Sequence, residues 1–307
     1  MKGFQKLGIK LGIKIYLGLL LVAVLLFALD LKINLGFKEQ KILGSHFPVQ
    51  VLEYPVIGNS SIPKITAKGA VVMDADSGVV LYSKNPTVRF SPASTTKIMT
   101  ALTALSYFKP ESVLTVKTAT DEGVLLGLKK DQKFSFKNLL YALLLPSAND
   151  VAFTLAQNFP NSTKGFVAKM NLNAVKFNLY NTHYNDPAGL DDDGDYTTPL
   201  DLARLASIAI RNKTFAKVVS TRETTIKDMD GQTYSLRNLN KLLGIDDVNG
   251  IKTGTTEGAG QVLVTSQKVG NHTIIVVVME SADRFPDTEK LLGITNNITY
   301  LPLSTRP

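Results

Sequence analysis

The chain has 307 residues, a net charge of +8 and no cysteine. It is long enough for one large domain with a substantial core, and it cannot use a thiol nucleophile, a Cys-ligated zinc, a disulfide framework or a lipid-modified cysteine. The basicity sits in the first 45 residues, where seven lysines face Asp30 and Glu39; the other 262 carry only +3, without a basic block, so no nucleic-acid partner is expected.

Residues 15–29 form an uninterrupted apolar run, extended to nineteen residues from Leu11 with Lys14 as the only charge. A lysine near a helix end can snorkel, so this length approaches the roughly 20 residues that span a bilayer. The run ends Leu26-Phe27-Ala28-Leu29-Asp30 without a small-x-small cleavage site, which favours an uncleaved N-terminal transmembrane helix over a signal peptide. Lysines 2, 6, 10 and 14 then place residues 1–14 in the cytoplasm and the remainder outside, as a single-pass protein of the cell membrane, secreted if the segment is cleaved. Residues 30–62, with Pro48, Pro55 and Gly58-Asn59-Ser60-Ser61, read as a juxtamembrane stalk, and 63–307 as the folded domain.

Residues 69–74 and 78–82 flank a turn at Ala75-Asp76-Ser77 and predict a hairpin. Helical patterns then dominate to about Leu243. Strands return at 261–266 and 273–279, and 288–294 reads as a closing helix. Strands near both ends with helices between them predict an α+β fold, with one antiparallel sheet built from both chain ends, flanked by helices, and a helical insert.

Three short motifs stand in order within this frame: Ser94-Thr95-Thr96-Lys97, Ser147-Ala148-Asn149 and Lys252-Thr253-Gly254. An alkyl hydroxyl is a weak nucleophile at neutral pH, and a lysine one helical turn on can act as its base if the ammonium is destabilised. Pro92 and Ser94 precede an apolar stretch at helical spacing, so Ser94 is expected at the start of a buried helix, beside free N–H groups that can hold an oxyanion. Each piece alone has an ordinary reading: Ser94 as an N-cap, Lys97 as a solvated lysine, Ser147 to Asn149 as a turn, Lys252 as the guard of a strand edge. Two further matches are set aside. Ser61-Ile62-Pro63-Lys64 contains a proline that takes its serine and lysine off one helical face, and Ser83-Lys84-Asn85 lies upstream of the nucleophile candidate.

The order and setting of these motifs resemble the penicillin-binding protein and serine β-lactamase superfamily, and more narrowly the low-molecular-mass D-alanyl-D-alanine carboxypeptidases of peptidase family S11. The likeness extends to Asp74 through Tyr82, Asn85 and Arg89, to Met170-Asn171, to Gly189-Leu190-Asp191 through Asp201-Leu202-Ala203, and to Asn238 through Leu243 and Gly250 through Gly260. It implies the transpeptidase-like fold and a peptidoglycan stem peptide ending in D-Ala-D-Ala as substrate, with β-lactams as acylating inhibitors. It further implies Ser94 as acyl-ester nucleophile, Lys97 as general base, Ser147 as proton relay and Asn149 as an orienting group. Lys252, Thr253, Gly254 and Thr255 would bind substrate, with the N–H groups of Ser94 and Thr255 as oxyanion hole. With only about fifty residues after the third motif, the β-rich domain and C-terminal amphipathic anchor of longer members are expected to be absent.

The rivals are narrower. A D,D-endopeptidase uses the same residues. A class A β-lactamase needs a glutamate-bearing loop between the second and third motifs, where residues 185–195 offer aspartates only. A non-catalytic wall-binding module would be expected to have lost Ser94, Lys97 or Lys252. No cofactor and no metal are expected: His46, His183 and His272 are isolated, and threading the acidic stretch 191–195 on a calcium loop puts Gly189 and Leu200 where acids belong.

Overall fold

The computed structural model describes residues 53–58, 62–190 and 194–302. The apolar segment 15–29, most of the stretch read as stalk, and Asp191 to Asp193 lie outside the described residues. Among those described, no helix is long and apolar enough to cross a membrane.

A five-stranded antiparallel sheet organises the domain. Its strands are β2 (Gly69–Asp74), β3 (Val80–Lys84), β8 (Val248–Thr256), β9 (Gly260–Val269) and β10 (His272–Ser281), in the order β3-β2-β10-β9-β8. The expected hairpin is β2–β3, and the sheet does draw on both ends of the chain. In β10, Ile275, Val277 and Met279 join the core on one face, while Ile274, Val276 and Val278 join a second core on the other. Successive residues of a strand point to opposite faces. Both faces are covered here, which is why 274–279 is a continuous apolar run with no polar alternation.

The larger core lies between the sheet and the helices. Its centre is α1 (Lys97–Leu105), from which Ile98, Met99, Ala101 and Ala104 are fully buried. Burial of the two larger side chains contributes about 1.5–3 kcal/mol each. A helix apolar on all sides belongs inside a domain, and α1 is packed by α2 (Phe136–Leu144), α3 (Asn149–Gln157), α4 (Ser162–Lys176) and α5 (Pro199–Ile210). Its polar residues are satisfied locally: Thr100 Oγ1 donates to the Pro187 carbonyl at 2.6 Å, and Thr103 Oγ1 accepts from Asn173 at 3.0 Å. Two of the surrounding helices begin at side-chain caps, with Ser135 accepting from Asn138 N ahead of α2 and Thr198 from Asp201 N ahead of α5. On the opposite face of the sheet lies α7 (Arg284–Thr295), capped by Asp283; α6 (Lys213–Val219) packs beside β8.

Three small ribbons add to the expected elements, two of them inside the stretch expected to be helical. They are β4 (Val113–Thr115) with β5 (Lys133–Ser135), β6 (Glu223–Lys227) with β7 (Thr233–Arg237), and β1 (Glu53–Ile57) with β11 (Ile298–Pro302). Strands of three to five residues carry too little alternation to stand out from the surrounding helical pattern. Strand β1 falls within the stretch read as stalk and pairs along its whole length with β11. The ribbon is tied to the sheet by Tyr300 donating to Asp74 Oδ2 at 2.8 Å and by His272 Nε2 at 3.1 Å from Glu53. Asp74, Asp76 and His272 bring ligand-capable atoms within 4.8 Å of one another, yet each is engaged within this tie: Asp76 also accepts from Thr273 N at 3.2 Å.

Candidate active site

Ser94 lies in a 3₁₀ turn, Ala93–Thr96, immediately ahead of α1, so the α-helix starts at Lys97 rather than at the serine. The turn makes no side-chain cap bond, which removes the N-cap reading of Ser94. Ala93 is held at φ 47°, and Ser147 at φ 70°, both left-handed conformations that cost a non-glycine residue about 1–3 kcal/mol. The two strained residues adjoin the first motif and open the second.

Lys97 is fully buried, not solvated. Its Nζ stands 2.9 Å from Ser94 Oγ, 2.7 Å from Asn149 Oδ1 and 2.7 Å from the Ala188 carbonyl. When neutral, the amine can give its two hydrogens to the two carbonyl acceptors, which leaves the lone pair facing the Ser94 hydroxyl. Burial pulls the ammonium down, Asp186 and then Asp150 pull it back up, and its pKa comes to about 7. That is where a general base is most effective at neutral pH.

The second motif links α2 to α3, with Asn149 as the first residue of α3. Asn149 Nδ2 donates to the Glu122 carbonyl at 2.9 Å and its backbone N to the Val124 carbonyl at 2.7 Å, which fixes the amide with its oxygen toward Lys97. Lys252, Thr253 and Gly254 stand in the middle of β8, the edge strand. Lys252 is no edge guard: it is 2 % exposed, and its Nζ donates to Ser147 Oγ at 2.7 Å and to the Thr253 carbonyl at 2.9 Å. Burial first, then the neighbouring cations Lys97 and Arg284, hold its pKa well below the ordinary lysine range.

Two glycines set the spacing. A Cβ on Gly254 would meet Ala93 Cβ at 3.0 Å and Ser94 N at 3.1 Å, so its absence lets β8 lie directly against the turn that carries Ser94. Gly189, at φ +74°, would place a Cβ 2.0 Å from the Ala93 carbonyl; no other residue fits there.

The three motifs therefore converge, and the fold adds groups that spacing did not reveal. Arg284, at the start of α7, donates through Nη1 to the Gly254 carbonyl at 2.8 Å and to Thr255 Oγ1 at 2.5 Å. Its Nε is buried without a hydrogen-bond partner, and burial lowers its pKa, with Asp283 opposing. In the sequence it is one arginine after an ordinary helix cap, thirty residues past the motif it touches. The Ala188, Glu122 and Val124 acceptors are backbone carbonyls and have no side-chain signature.

Residues 58–283 match the family profile of the D-alanyl-D-alanine carboxypeptidases, peptidase S11. The chain belongs to this family. Among S11 relatives, the D-alanyl-D-alanine carboxypeptidase of Streptomyces sp. strain K15 is 34% identical over 255 residues, covering 75% of this chain and 87% of the relative. DacF of Bacillus subtilis, also named a D-alanyl-D-alanine carboxypeptidase, is 33% identical over 69% of this chain; the match spans 57% of the Bacillus protein's length. The D-alanyl-D-alanine endopeptidase of Escherichia coli K12 is 29% identical, over 78% of this chain and 79% of its own. The crystal structure of the Streptomyces K15 DD-transpeptidase superposes with a TM-score of 0.73 at 32% identity, over 77% of this chain and 99% of that one. The sheet and helices described above are thus the transpeptidase fold of this family.

Proposed function

We propose that the chain is a serine-type D-Ala-D-Ala carboxypeptidase that removes the terminal D-alanine from peptidoglycan stem peptides through a Ser94 acyl-enzyme. The observation that carries this reading is Lys97 Nζ, buried and 2.9 Å from Ser94 Oγ, with its other two contacts both carbonyl acceptors. Neutral Lys97 takes the hydroxyl proton as Ser94 attacks the penultimate carbonyl, assistance of a kind worth about 10²–10⁴-fold. The N–H groups of Ser94 and Thr255 receive the oxyanion. The proton taken by Lys97 is handed on through Ser147, itself hydrogen-bonded to Lys252, to the departing amine, so that D-alanine leaves, the ester remains on Ser94 and Lys97 is neutral again. Water then hydrolyses the ester, with Lys97 again as base.

The substrate's terminal carboxylate meets Lys252, Thr253, Thr255 and Arg284, whose guanidinium carries the unpartnered Nε described above. An anion there meets the buried Lys252 and the half-buried Arg284 at once. β-Lactams present the same carboxylate beside a strained amide and stall at the acyl stage. The apolar run 15–29 supports an anchored enzyme whose catalytic domain faces the cell wall.

Intact mass after incubation with benzylpenicillin, for wild type and Ser94→Ala, alongside D-alanine release from a diacyl-D-Ala-D-Ala peptide, tests the reading. Adduct and release, both lost in the variant, are expected; a folded wild type giving neither refutes it. The endopeptidases among the relatives support a second activity on cross-linked peptides, and a disaccharide–peptide dimer as substrate separates the two.

A further inference from the structure

Lys97 must be aimed at Ser94 and must titrate near neutrality, and two carboxylates outside the three motifs bear on both requirements. Asp186 accepts from the backbone N–H groups of Ala188 at 2.5 Å, Gly189 at 2.8 Å and Leu190 at 3.1 Å. These bonds close the 186–190 loop, and the Ala188 carbonyl emerges from it toward Lys97 Nζ at 2.7 Å. Asp150, in the first turn of α3, accepts from Leu126 N at 3.0 Å, Gly127 N at 2.8 Å and Leu128 N at 2.9 Å, and from its neighbour Val151 N. This pins the segment whose Glu122 and Val124 carbonyls orient Asn149, and with it the second acceptor of Lys97.

Every one of these donors is a neutral amide. Among the described residues neither aspartate has a cation within ion-pair distance, so their charge is held in place but not cancelled. We propose that Asp150 and Asp186 are positioning residues for Lys97: each fixes the loop that brings one of its two carbonyl acceptors, and each directs an uncancelled negative charge at the ammonium. The remaining groups around Lys97 oppose or ignore charge. Lys252 approaches from β8 with Arg284 beyond it, while Ser94 and Asn149 are neutral. Burial favours the free amine; the two aspartates restore enough affinity for the proton that Lys97 can accept it from Ser94 and hold it.

The inference rests on the acyl-transfer reading of this site, and its test keeps the two apart. The full-length chain, labelled with [6-¹³C]lysine and held in detergent micelles, reports the Lys97 titration directly, its signal assigned by its loss in Lys97→Arg. In Asp186→Asn and in Asp150→Asn the midpoint is expected to fall by about one pH unit. The ascending limb of the benzylpenicillin acylation rate should move down with it. Asp76→Asn, at the β2–β3 turn, should leave both in place. Asp150 is 2 % exposed; if its variant does not fold, the partly exposed Asp186 decides alone. Folded variants whose midpoint coincides with that of wild type overturn the proposal, whatever the wild type does to penicillin. A shifted midpoint in a protein that forms no adduct would instead refute the carboxypeptidase reading and leave the positioning role standing.

Discussion

Replacing Lys97 with methionine should make the protein inactive and more stable. A lysine titrating at about 7 in the fold and near 10.5 in the unfolded chain is buried at the cost of its charge. One pH unit corresponds to 1.36 kcal/mol, so at pH 7 the difference amounts to about 4 kcal/mol of lost stability. Methionine fills a similar volume without that loss. It leaves the Asn149 Oδ1 and Ala188 acceptors without the lysine's hydrogens, a penalty of about 1 kcal/mol each. The net gain is therefore about 2 kcal/mol, or about 4–8 °C in Tm for a domain of this size. The pH dependence carries a sign. Between about pH 7 and 10.5 the unfolded wild type binds a proton that the folded protein does not, so raising pH stabilises wild type while the variant lacks this contribution. Paired thermal melts at pH 7 and pH 10 should show the variant's advantage shrinking at the higher pH. A variant less stable than wild type at pH 7, or an advantage that is the same at both pH values, would refute the reasoning.

Gly254→Ala should slow acylation by about 10²-fold while the fold survives, because the new methyl group pushes β8 away from Ser94 N and the oxyanion donors separate; stopped-flow acylation with a chromogenic cephalosporin measures it. Arg284→Leu should lower kcat/KM for a peptide ending in a free carboxylate by about two orders of magnitude, with much less effect on the corresponding peptide amide, a comparison made by D-alanine or D-alaninamide release. Asp287 accepts from Thr66 N, Ala67 N, Thr66 Oγ1 and Ser281 Oγ. Burial raises its pKa, but these bonds outweigh burial and hold it below the ordinary value. Its contribution is therefore complete above about pH 4 and lost as pH falls through the lowered value; Asp287→Asn should lower Tm at pH 7 and flatten the acid limb of a Tm-against-pH curve.

What the sequence by itself determined was the chemistry and its order. The two apolar runs of β9 and β10, the hairpin at 69–82, and the three motifs are local patterns, and local patterns survive in one dimension. The spacing of Ser94 and Lys97 is itself a short-range fact, since three residues make one turn whether that turn is 3₁₀ or α. Only the tertiary structure decided that Lys97 and Lys252 are buried, and so depressed in pKa. The same holds for Lys252 meeting Ser147 across 105 positions of chain and for Arg284 reaching back to Thr255. It also brought the Ala188 carbonyl to Lys97, and the carboxylates of Asp150 and Asp186 to bear on a lysine outside their own loops. Burial and field are sums over neighbours from every part of the chain, and no window of sequence contains them.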